Sequence, residues 1–83
     1  MTWVIVTQDA LDEWVATSPD SSLVIAVLTW VLGLRDAGPP PGGVFDPFRE
    51  TLFAQAGDTG IWIEYIVLPY LVDPAIVIRA YRS

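Results

Sequence analysis

Apolar residues along this chain follow a strand-like period at both ends and a helical period between them. Trp3-Val4-Ile5-Val6-Thr7 is aromatic and β-branched, which predicts a first strand. The spacing then lengthens. Leu11, Trp14 and Val15 fall at i, i+3 and i+4, one stripe of a helix. Thr7 or Asp9 is placed to accept from the free amides of its first turn, and Asp9, Asp12 and Glu13 suit the positive end of its dipole. Ser18-Pro19-Asp20 restarts the pattern, with Ser18 suited to the N-cap, Pro19 to the first helical position and Asp20 to the dipole. A second helix is expected to reach about Ala37, with Val24, Val27, Leu28, Val31 and Leu34 on its inner face. Leu23, Trp30 and Leu32 make its other side apolar too, so this helix is either sandwiched or offers a second face to a partner. Gly38 is a good terminator.

Gly38-Pro39-Pro40-Pro41-Gly42-Gly43 reads as a stiff connector, continued by Asp46-Pro47. Beyond it the period returns to two. Phe48 to Ala56 sets Phe48, Glu50, Leu52 and Ala54 against Arg49, Thr51, Phe53 and Gln55. Gly57-Asp58-Thr59-Gly60 is a tight turn, and Ile61 to Leu68 is the next strand, with Ile61, Ile63, Tyr65 and Val67 opposing Trp62, Glu64 and Ile66. Pro69 to Pro74 connects to a last strand, Ala75 to Tyr81, with Ile76, Ile78 and Ala80 on one face and Val77, Arg79 and Tyr81 on the other. The expected fold is α+β, a single domain over residues 1–83 in the order β-α-α-β-β-β. A helical hairpin covers one face of an antiparallel sheet that ends in a C-terminal hairpin.

Composition changes this picture in three ways. Hydrophobic residues make up 53% of the 83, with four Trp. A chain of this size buries only about 60% of its unfolded surface, so an apolar patch is expected to remain for a partner or a second copy. The absence of Cys and His excludes disulfides, thiolate zinc sites and Ser-His-Asp or Cys-His catalysis, so no metal and no cofactor is expected. The net charge of −6, with four Arg as the only cations, disfavours general nucleic-acid binding. The apolar run Leu23 to Leu34 is too short for a membrane span of about 20 residues, and the acidic N-terminal region does not fit a signal peptide. A cytoplasmic protein is the expectation.

The element order and the text around it resemble the RelE/ParE toxin superfamily of bacterial toxin–antitoxin pairs. Val4-Ile5-Val6-Thr7-Gln8-Asp9-Ala10-Leu11-Asp12-Glu13 is similar to that family's first strand and helix start, and Ser18-Pro19-Asp20 sits at its inter-helix turn. Ile63-Glu64-Tyr65-Ile66-Val67 and Val72-Asp73-Pro74-Ala75-Ile76-Val77-Ile78-Arg79 resemble its last hairpin. The resemblance implies a toxin that either cleaves mRNA on the ribosome or poisons DNA gyrase. For cleavage it points to Glu50 as base and to Arg79, Tyr81 and Arg82 as phosphate clamps and phenolic donor, with Arg49 as an added charge. The family's customary arginine near the start of the middle meander strand is replaced here by about Ile63, and the lysines of ribosome-dependent members are missing.

Bland roles compete with each of these. Arg79 and Arg82 also serve as edge charges against aggregation, Tyr81 as packing, Glu50 as one half of a cross-strand pair, and Trp30 and Trp62 as core or interface residues rather than base-stacking platforms. The charge favours a gyrase-type or degenerate member acting by protein binding over an active mRNA endoribonuclease. Leu23, Trp30, Leu32 and Trp62 are the candidate partner-binding residues, for an antitoxin-like protein or a homodimer. The alternative is a non-enzymatic homodimeric interaction module, of bacterial or phage origin, on the same fold.

Overall fold

In a computed structural model, which describes residues 2–83, two helices and five strands run in the order β1 (Val4–Val6), α1 (Gln8–Val15), α2 (Ser21–Ala37), β2 (Val44–Asp46), β3 (Thr51–Gln55), β4 (Trp62–Leu68) and β5 (Ala75–Arg82). They form one sheet in the order β1-β5-β4-β3-β2. The α+β class follows the pattern of the sequence. The sheet, however, is mixed rather than antiparallel, because β1 returns beside β5 in parallel, with Val4, Ile5 and Val6 opposite Ala75, Ile76 and Val77. It also carries an extra strand, β2, cut from the loop that precedes the expected meander.

The helix caps differ in detail from the expectation. Asp20, not Ser18, is the N-cap of α2, and its side chain accepts from the Ser22 amide at 3.1 Å. Ser18 takes a left-handed conformation, φ 59°, and its amide closes the end of α1 on the Val15 carbonyl. Pro19 therefore precedes the cap instead of opening the helix. Gly38 ends α2 as expected, at φ 80°, with its amide on the Leu34 carbonyl. Thr7 stands at the N-cap of α1, but its hydroxyl is engaged by Tyr81 and caps nothing.

The core lies between the helices and one face of the sheet. Ala10 and Trp14 of α1 and Val27, Val31 and Leu34 of α2 meet Ala54, Ile63, Tyr65, Ile76 and Ile78. Val15, assigned to the α1 stripe, is exposed, and Ala10 takes the inward place. Helix α1 packs on β5 and α2 on β1. No described helix is long and apolar enough to cross a membrane.

Residues 47–50 are a turn between β2 and β3, not the start of a strand. Asp46 accepts from the amides of Phe48 at 2.9 Å and Arg49 at 3.3 Å, an Asx-type turn that competes with strand pairing. Glu50 completes it at φ 56°. From Thr51 onward the alternation holds, with Leu52 and Ala54 toward the helices.

The last strand breaks its own alternation. Glu64 pairs with Ala80 and Tyr65 with Ile78, so Arg79 has no partner across β4. It is the extra residue of a β-bulge, which reverses the sense of everything after it. Tyr81, expected on the face opposite Ile76 and Ile78, instead joins them in the core.

Candidate functional site

The sheet face turned away from the helices carries a charged cluster that three strands assemble. Glu64 belongs to the outward set of β4, between Trp62 and Ile66. It is only 7% exposed, because β3 and β5 flank it. A carboxylate this buried needs partners. The Thr51 hydroxyl donates to its Oε2 at 3.0 Å, an Arg82 guanidinium nitrogen donates to Oε1 at 3.1 Å, and an Arg49 nitrogen lies 3.5 Å from the same oxygen. Each arginine reaches Glu64 through a local device. The Asx turn carries Arg49 over the end of β3, and the bulge at Arg79 turns Arg82 outward. There Arg82 pairs with Trp62, one step diagonally from Glu64. The two arginine side chains remain about half exposed, at 52% and 50%.

The four residues to which the resemblance assigned catalysis do not share one surface. Arg82 stands in the cluster. Glu50 is exposed in the β2–β3 turn and takes part in no ion pair among the described residues. Arg79 is exposed at the bulge and lines an open cavity of about 370 Å³ beside Thr7, Gln8 and Asp9 at the start of α1. Tyr81 points into the core, stacked on Trp14 and hydrogen-bonded to the Thr7 hydroxyl. Burial pushes its phenol pKa above the ordinary value, partly opposed by the Thr7 hydrogen bond.

The partner-binding candidates divide likewise. Leu23 and Trp30 are half-buried against the core, whereas Leu32 and Trp62 are exposed. Trp30 and Trp62 line one shallow cavity of about 400 Å³ with Pro40, Pro41 and Val44. Leu32 lies in a different one, with Trp3, Val4 and Arg35.

Known protein families, curated proteins and solved structures offered no match to this chain. The site is therefore read from its own geometry. Glu64 is the residue that the reading of the sequence passed over. Its signal was present: a lone carboxylate inside the apolar run Trp62 to Leu68, at a position central in the sheet, needs a cation across the strand. No group of three or more Asp or Glu among the described residues is placed to hold a metal ion.

Proposed function

We propose that this chain is a toxin-like component of a bacterial toxin–antitoxin pair that acts by binding protein. The observation that carries the protein-binding part is the open edge of the sheet. Strand β2 pairs only with β3. Val44 and Phe45 on it are exposed, and Phe48 in the turn that follows is 97% exposed. An unpaired edge flanked by large apolar side chains is suited to a partner strand, which would add main-chain hydrogen bonds and bury those side chains together. The β4–β5 connection adds a second apolar protrusion, with Tyr70 exposed and Val72 fully so.

The α+β class that the reading assumes is present, with a strand, β2, beyond the expected order. Protein binding is favoured over an active ribonuclease by charge: among the described residues, the ion pairs that bring two cations together, Arg49 and Arg82, already enclose a carboxylate, which neutralises half of the charge that a phosphate clamp would need.

The test is induced expression in a bacterial host, with and without the product of the adjacent reading frame. Growth arrest relieved by that product supports the reading. Harmless expression of a protein that sediments as a dimer favours the homodimeric interaction module instead. Translation-dependent mRNA cleavage lost with Glu50→Gln restores the nuclease.

A further inference from the structure

We propose that Phe48 and Glu50, held out on the turn between β2 and β3, form an anchor that enters an apolar pocket with a cationic rim on a protein partner. The inference names the kind of partner for the protein-binding reading and rests on it.

The turn is tied to one shape. Asp46 and Thr51 close it as a ladder pair, and residues 47–50 reverse the chain between them. Pro47 fixes one φ angle, and the Asp46 carboxylate accepts from the next two amides, Phe48 at 2.9 Å and Arg49 at 3.3 Å. The Arg49 guanidinium is tied to the buried Glu64, 3.5 Å away. Glu50 takes φ 56°, a left-handed conformation that glycine adopts at less cost. A carboxylate thus stands where the turn alone would favour glycine, and backbone strain of this kind points to a use for the side chain. Within this frame Phe48 is 97% exposed, so its ring contributes no packing to the fold. A ring carried by a fixed backbone loses little conformational freedom on entering a pocket, and buried aromatic anchors dominate the energetics of interfaces.

The charges around the ring select the pocket. Arg49 and Arg82 both turn to Glu64, and this corner of the sheet sets them against three carboxylates, Asp46, Glu50 and Glu64. The surplus is negative, and Glu50 carries it without an ion pair among the described residues. Phosphate is repelled, so neither a nucleic acid nor an anionic lipid surface fits. A Lys or Arg at the rim of the pocket complements Glu50 and steers the encounter with a chain whose net charge is −6. A second copy fits less well. The chain's own cavities with an arginine in the lining, at Arg35 and at Arg79, lie on other elements. Phe48 of one copy entering either makes a head-to-tail contact, which builds rings or filaments rather than a pair.

A synthetic host with this chemistry tests the anchor on the isolated protein. Amino-substituted β-cyclodextrin offers an apolar cavity of phenyl size ringed by ammonium groups. Unsubstituted and carboxymethylated β-cyclodextrin are its neutral and anionic counterparts. Binding is read from the ring-proton signals of Phe48, assigned with Phe48→Leu, at matched ionic strength. The expected result is saturable movement of those signals, with the amino host binding roughly two- to fivefold more tightly than the neutral one and the anionic host most weakly. Glu50→Gln removes most of that preference, whereas Asp58→Asn, the same charge change on the exposed β3–β4 turn, leaves it in place. Amide order parameters of residues 48–50 match those of β2 and β3. The proposal is overturned if Phe45 or Tyr70 saturates before Phe48, if the three hosts bind Phe48 equally, or if Asp58→Asn acts as Glu50→Gln does. It is equally overturned by order parameters below about 0.6 in the turn, or by Phe48 signals that shift with protein concentration alone, which would make a second copy the occupant. Silence toward the amino host beside intact relief of growth arrest removes the anchor and leaves the protein-binding reading. A selective response at Phe48 in a protein that causes no arrest does the reverse.

Discussion

Tyr81 lies nearly flat against Trp14, with ring centroids 5.0 Å apart and planes inclined by 21°, and so ties the end of the last strand to the first helix. Its hydroxyl meets that of Thr7, at the junction between β1 and α1. The β1–α1 junction and α1 itself therefore close on one side chain of the distant β5, which reaches the core only because Arg79 bulges out of the ladder.

Tyr81→Phe keeps the stack and loses the Thr7 hydrogen bond, and is expected to cost about 1 kcal/mol in urea-induced unfolding. Tyr81→Ala removes a buried ring and is expected to cost about 3–5 kcal/mol. That is enough to leave much of an 83-residue domain unfolded at 37 °C. Equal, small losses for both variants would show that the stack carries no weight.

The same burial sets an alkaline limit. Tyr81 and Tyr65 both have phenol pKa values raised by burial above their ordinary value near 10. A group whose folded pKa lies above its unfolded one contributes stability that is complete below the unfolded pKa and is lost as pH rises through the folded pKa. The melting temperature is therefore expected to be insensitive to these two groups below about pH 9 and to fall above about pH 10. Tyr81→Phe should shed part of that alkaline slope. An unchanged slope in the variant would remove Tyr81 from the account.

Where the sequence was legible, one dominant force decided the element. Inward positions of β3 and β4 follow strict alternation because a buried face tolerates no slip. The extent of α2 follows its apolar spacing and Gly38. What was misread lies where two local preferences compete. Asp46 diverts residues 47–50 into a turn although their hydrophobic alternation continues, so Glu50 is removed from the sheet that would have aimed it. The bulge at Arg79 has no marker in residue type, yet it exchanges the faces of Tyr81 and Arg82 and thereby assembles the Arg–Glu–Arg cluster. The mixed sheet was equally hidden, since short β1 reads the same whichever way its neighbour runs.

Gly43 reads in the sequence as part of a stiff connector, but it is a packing residue. A Cβ placed on it would overlap the Tyr65 hydroxyl and sit 3.7 Å from Leu52. Tyr65 is 1% exposed and cannot swing aside. Gly43→Ala is therefore expected to cost about 1–3 kcal/mol through overpacking. Gly42→Ala meets no atom within 4 Å, and any cost there comes from its φ of 76°. Denaturation midpoints of the pair separate crowding from backbone strain, and Gly43→Ala paired with Tyr65→Phe should recover part of the loss.

The open edge allows stability and function to be tested apart. Phe48 is almost wholly exposed and packs against nothing that its removal would unsettle. Phe48→Asp is expected to change unfolding free energy by no more than about 0.5 kcal/mol, the usual range for a surface site. If β2 receives a partner strand, the same substitution places a charge at the margin of that contact. It should then weaken both growth arrest and its relief by the adjacent product. Val72→Asp, on the separate β4–β5 protrusion, is the matched control, also fully exposed and away from the sheet edge. Loss of activity in Phe48→Asp with Val72→Asp unaffected assigns recognition to the β2 edge. Equal activity in both variants, each with wild-type melting, would mean that neither apolar protrusion is what the partner reads, and the edge would cease to support the binding role.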